Sequence, residues 1–189
     1  VVGHDSLSTP AGAVFKGEVE KIVESHAQAV FFAGGSGAGT IGLWQQLHSA
    51  DPRLLLLGSS TLAEEAFTSG IGAAGVSTYL TTPVLAPGMY SASGQRVLID
   101  YRRQFGGEAG GYALDGYEAM SVVLEAIRSA GVRGNDRQAI TDRFFATRNR
   151  DSVIGRYSIE ADGDTTLSRY AVDRVLGGRA VFFRAIGAG

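Results

Sequence analysis

GGYALDGYEAMSVVLEAIRSAG spans Gly110–Gly131 and carries one period from end to end. Leu114, Tyr117, Met120, Val123, Leu124 and Ile127 recur at steps of three or four, which predicts an apolar stripe along one face of a helix. Gly131 marks its C-terminal stop. Ala113, Ala119, Ala126 and Ala130 are small enough to let another element come close. Such a helix is predicted to be covered. Its neighbours in sequence are also helices. Gln95–Phe105 turns Val97, Leu98 and Tyr101 inward, and Arg137–Thr147, capped by Asn135 or Asp136, carries Ile140, Phe144 and Phe145. Consecutive helices with no strand between them cannot wrap a sheet of their own, so their cover is expected to lie outside these 189 residues.

Upstream the pattern changes. Val1–Val2 is predicted to open a strand, and Phe15, Val19, Ile22 and Val23 mark a helix to His26. Ala29–Ala33 and Arg53–Leu57 are apolar runs without alternation, as strands covered on both faces require. A helix over Ile41–His48 lies between them, with Leu43, Trp44 and Leu47 on its apolar side. Thr61 and Glu64 read as a capping box for a helix over Leu62–Thr68, and Val76–Thr81 as a strand ending at Pro83. Alternating strands and helices with short links predict an α/β fold with a parallel sheet wrapped by helices. Val84–Gly94 breaks the alternation as a linker. Beyond the helices come a strand at Arg156–Ile159, a turn at Asp162–Gly163–Asp164, and a hairpin of Tyr170–Leu176 and Arg179–Arg184 across Gly177–Gly178.

The chain has 17 basic and 19 acidic residues, a net charge of −2 and no cysteine. The basic residues are scattered, which argues against nucleic acid and against an anionic membrane surface. The missing cysteines exclude a disulfide framework, a thiol nucleophile and a thiolate metal site. Gly37-Ala-Gly39-Thr-Ile-Gly42 spells G-x-G-x-x-G after a strand, but it begins well past the strand end. The next strand ends in Gly58-Ser59-Ser60 and offers no carboxylate to a ribose. His4-Asp5-Ser6 holds the residue types of a triad, yet neighbours on a strand point to opposite faces. Asp162-Gly163-Asp164 lacks the alternating oxygens of a calcium loop and reads as a turn. No catalytic residue, metal site or cofactor is expected.

Open parallel sheets bind ligands beyond the carboxyl ends of their strands. The candidate binding residues are therefore Ser36, Gly37, Ser59 and Ser60, with Tyr112 at the start of the long helix.

GGYALDGYEAMSVVLEAIRSAG, NDRQAITDRFFATRN and VIGRYSIEADGDTTL resemble the carboxyl-terminal half of type I periplasmic solute-binding proteins of the branched-chain amino-acid ABC transporter group. AVFFAGG and LLLLGSS resemble strand ends of that family's second lobe, and TTPVLAPG its crossover out of that lobe. The resemblance implies two α/β lobes with a ligand trapped between them. Residues 1–83 would be a partial lobe two lacking its first strand and helix, 84–164 the carboxyl-terminal part of lobe one, and 165–189 a hairpin returning to lobe two. It implies an extracytoplasmic component of an ABC importer, binding a small polar ligand without chemistry and partnered by a permease. A ligand-sensing domain of the same fold and a nucleotide-dependent α/β enzyme are the alternatives. The family places an aromatic contact where Ser36 stands, an acid for a ligand ammonium where Ser60 stands, and a tyrosine at Tyr112. With only the tyrosine kept, a neutral or anionic solute is expected. Uncovered faces at Leu114, Val123, Leu124 and Ile127 predict self-association.

Overall fold

The computed structural model describes residues 1–187. The chain divides into two compact units, one formed by Val1–Pro83 with Tyr170–Gly187 and one by Val84–Arg169.

In unit one, α1 (Lys16–Glu24), β1 (Ala29–Phe32), α2 (Ala38–Ala50), β2 (Leu55–Ser59), α3 (Glu65–Gly70) and β3 (Thr78–Thr82) follow in sequence. Strands β1, β2 and β3 pair in parallel. The hairpin β6 (Tyr170–Leu176) and β7 (Arg179–Ile186) joins β3 antiparallel, giving the order β1-β2-β3-β6-β7. Gly177 and Gly178 turn that hairpin with φ of +56° and +76°, the left-handed pair a two-residue turn needs.

One sheet face carries the core. Leu56, Leu80 and Val175 pack with Trp44 and Leu47 of α2, Phe67 of α3, and Ile71 and Ala74 of the 3-10 stretch Gly72–Ser77 and its cap. Each such aliphatic side chain contributes roughly 1.5–3 kcal/mol by leaving water. Trp44 is fully buried, edge-on to Phe32 and Phe67 at centroid distances of 5.5 and 5.3 Å. Its indole Nε1 donates to Thr78 Oγ1 at 3.1 Å, and Thr78 donates to the Ala74 carbonyl at 2.7 Å. The opposite face is open. Phe31, Leu55 and Phe183 remain 58%, 43% and 43% exposed.

Unit two holds α4 (Ala92–Phe105), α5 (Ala113–Ala130), α6 (Arg137–Phe145) and a hairpin of β4 (Arg150–Ser152) and β5 (Gly155–Tyr157). Ser91 caps α4 through its hydroxyl, Gly106 ends it with φ +74°, and Asp136 caps α6 by accepting from the Ala139 N–H. Helix α5 packs on α6, and Val122 meets Tyr157 and Ile159, with Phe144 and Leu167 against them.

Several expectations need correction. Val1–Val2 forms no strand and is exposed. The second strand begins two residues late and runs to Ser59, because Leu54 is buried in the turn before it. Thr61 and Glu64 form no capping box: Ser60–Leu62 is 3-10, α3 starts at Glu65, and both side chains bond elsewhere. The linker contains a 3-10 turn at Pro87–Met89 and the start of α4. Tyr101 faces solvent rather than inward. Most instructive is α5, whose buried line is Leu114, Glu118, Val122 and Ala126. Tyr117, Met120, Val123 and Leu124 of the foreseen stripe are exposed. The reason is Glu118, which is held inside by Arg150 and Tyr157.

Candidate functional site

The loops after β1 and β2 lie side by side because their strands pair in register, Phe32 opposite Gly58. Gly58 itself leaves no room for a side chain, since a Cβ there would lie 2.5 Å from Leu62 Cδ1. The two loops are tied by hydroxyls. Thr61 Oγ1 donates to the Gly34 carbonyl at 2.6 Å. Ser59 Oγ lies 2.8 Å from Thr61 Oγ1. A hydroxyl has one proton, and that of Thr61 is committed to Gly34, so Ser59 is the donor in this pair. Ser36 Oγ donates to Glu64 Oε2 at 2.8 Å, a second tie between the loops. Below them Thr40 Oγ1 donates to the Gly35 carbonyl at 2.8 Å and lies 3.2 Å from Thr9 Oγ1.

Four of the five candidate residues thus belong to one loop cluster in unit one. Ser36, Ser59 and Ser60 are half-buried, and Gly37 is exposed as the N-cap of α2. The Ser60 hydroxyl makes no hydrogen bond among the described residues. Tyr112 belongs to unit two, where it precedes α5 and is 54% exposed. Thr61 and Glu64 were missed as members of the cluster. The signal available was the length of the second strand: once it ends at Ser59, Thr61 falls in the loop and not in a helix.

The glycine motif has a packing cause. Gly37 caps α2 while Gly39 and Gly42 lie inside it, and a Cβ on Gly39 would sit 2.1 Å from the Thr9 carbonyl oxygen. The glycine admits the amino-terminal segment, so no phosphate is needed to account for it. Asp162–Asp164 is a turn in which Asp162 Oδ1 accepts from the Asp164 N–H at 3.0 Å. Among the described residues no group of three or more His, Asp or Glu is placed to hold a metal. None of their helices is long and apolar enough to cross a membrane.

A cavity of about 480 Å³ opens in unit two, and Arg148 and Arg150 line it. Both are engaged, Arg148 with the carbonyls of Phe145, Thr147 and Ile159, Arg150 with Glu118 and Glu125. Tyr157 also donates to Glu118, at 2.9 Å, and burial first, then that bond, pushes its phenol up to about 12.

Residues 1–179 match the profile of periplasmic binding proteins. No curated protein matches the sequence. Among solved structures, a leucine-binding protein, LivK, of Thermotoga maritima is similar at a TM-score of 0.75 and 22% identity, over 92% of this chain and 49% of its own. The branched-chain amino-acid transporter substrate-binding protein LivJ of Streptococcus pneumoniae, in complex with isoleucine, gives 0.67 and 19%, over 94% and 49%. An ABC transporter substrate-binding protein of Desulfitobacterium hafniense, in complex with leucine, gives 0.65 and 14%, over 90% and 49%. The chain therefore spans about half the length of the structures it matches. At these identities the likeness shows the α/β architecture, and the profile match carries the kinship: the chain belongs to the periplasmic binding protein family.

Proposed function

We propose that this chain is part of an extracytoplasmic solute-binding component of an ABC importer, taking a small polar solute at the loops after β1 and β2. Unit one would belong to one lobe, with its hairpin, and unit two to the other. Ser36, Gly37, Ser59 and Ser60 would contact the solute, and Tyr112 would offer its exposed ring and hydroxyl. The supporting observation is the hydroxyl-tied cluster of Gly34, Ser36, Ser59 and Thr61 at the carboxyl ends of two parallel strands. This is where an open α/β sheet presents its ligand contacts. No bond need be made or broken. A solute acts by favouring one member of a conformational equilibrium, in proportion to its differential affinity for the two states.

The test is a thermal-shift screen of amino acids, amides and small carboxylates against NAD and ATP. A ligand bound only by the native state at a hundred times its Kd stabilises by about 2.7 kcal/mol. A shift with a polar solute is the expected result. A shift with NAD or ATP alone would overturn the proposal.

A further inference from the structure

Three guanidinium groups meet at the cavity of unit two. Arg143 comes from the last turn of α6, Arg148 precedes β4, and Arg150 opens it. Val122 and Ala126 of α5 line the same space. The engagement of the arginines is partial. Arg148 makes its three carbonyl bonds through Nη1 alone, leaving Nε and Nη2 without a partner among the described residues. Those bonds also hold the head of a long side chain in one place. Arg150 spends Nε and Nη1 on Glu118 and Glu125, leaving Nη2. Arg143 forms no hydrogen bond and no ion pair among the described residues, although eight ion pairs occur among them. Two carboxylates also line the cavity. Glu125 is taken by Arg150, and Asp151 lies 3.8 Å from Arg156. Arg143 and Arg148 therefore have no carboxylate of their own, and the wall keeps a surplus of positive charge and of N–H donors.

Like charges gathered in a concavity repel one another and focus their field into it. A bound oxyanion relieves the repulsion and is drawn by the field. The forked N–H groups of a guanidinium match the oxygens of a carboxylate or a phosphate. A volume of about 480 Å³ exceeds a lone ion and falls in the range of small-molecule sites. We propose that this cavity binds a small molecule bearing a carboxylate or phosphate group, with Arg143 and Arg148 supplying the charge and Arg150 Nη2 a further donor. The site is built wholly from unit-two residues and shares none with the candidate loops of unit one, so it does not depend on the function proposed above.

The test is calorimetry of the protein with inorganic phosphate, pyrophosphate and citrate, at an ionic strength held constant with sodium chloride. Saturable binding of at least one is expected, and the anion that responds separates the phosphate class from the carboxylate class. Arg143→Gln removes a partnerless charge from an exposed helix position, so it should fold as the parent does and weaken that binding about tenfold. Arg137→Gln, six positions earlier on the same helix and outside the cavity, removes the same charge and should leave affinity unchanged. Neither variant should melt below the parent. Binding that falls equally in both would mean a general effect of net charge and would overturn the site. So would the absence of saturable heat from all three anions, or an affinity untouched by Arg143→Gln.

Discussion

Arg150 donates through Nε to Glu118 Oε1 at 2.5 Å, joining two side chains that are 16% and 4% exposed. The pair ties α5 to β4 across 32 positions of sequence. Removing Glu118 leaves Arg150 with only its exposed partner Glu125 and takes the acceptor from the buried Tyr157 hydroxyl. Glu118→Ala should therefore cost about 1–3 kcal/mol. Urea denaturation should show a lower midpoint with an unchanged slope. A loss below about 1 kcal/mol would mean that water reaches the guanidinium.

Tyr157 predicts how stability depends on alkaline pH. Its phenol rises from 10.0 to about 12 in the native state, by burial first and by its bond to Glu118 second. Between those values the folded protein holds a proton that the unfolded chain has released. The contribution is full below pH 10 and lost as pH rises through about 12. Tyr157→Phe should be less stable than the parent at pH 8, and the gap between them should close across this window.

Asp115 runs the other way at neutral pH. Burial raises its carboxyl above the ordinary 3.8, and its buried Oδ2 has no hydrogen bond among the described residues. A raised carboxyl is most favourable to folding below the unfolded value and loses that advantage as pH rises through the folded one. Asp115→Asn should thus melt above the parent at pH 7, with the difference vanishing below about pH 3.8.

Thr78 gives the Trp44 indole its acceptor inside the unit-one core. Thr78→Val keeps the volume and leaves the indole N–H buried without a partner, at a cost of about 1–3 kcal/mol. Calorimetric unfolding checks it.

Met120 and Leu124 are 58% and 50% exposed, one helical turn apart on α5. With Tyr117 and Val123 they form an apolar surface that water disfavours, and the isolated chain should self-associate through it. Sedimentation should show a concentration-dependent oligomer that Met120→Lys with Leu124→Glu converts to monomer, while changing monomer stability by only about 0.5 kcal/mol per site. A monomeric parent at high concentration would refute this.

Where local pattern and tertiary packing agree, the sequence was readable. The long helix ran to its glycine as foreseen, and AVFF and Leu55–Leu57 lie in paired parallel strands, but one face of those strands is open where both were expected to be covered. Gly177–Gly178 marked the hairpin turn. What escaped was any relation made by distant partners. Glu118 looks like a surface residue on an apolar helix until Arg150 and Tyr157 are brought to it. Thr61 and Glu64 fit a local cap, but contacts with Gly34 and Ser36, 27 and 28 positions away, took their side chains instead. The loop serines could be named from strand ends alone. The carboxylate beside them could not.

The outer rim of β1 has a different implication, for the behaviour of this polypeptide in concentrated solution. Ala29–Phe32 ends the sheet among the described residues, with no charge, no proline and Phe31 laid bare. Natural sheets usually blunt such a border, because its free amides template the addition of a further strand. Precipitates of the isolated chain should accordingly be ordered, seedable polymers growing from this rim.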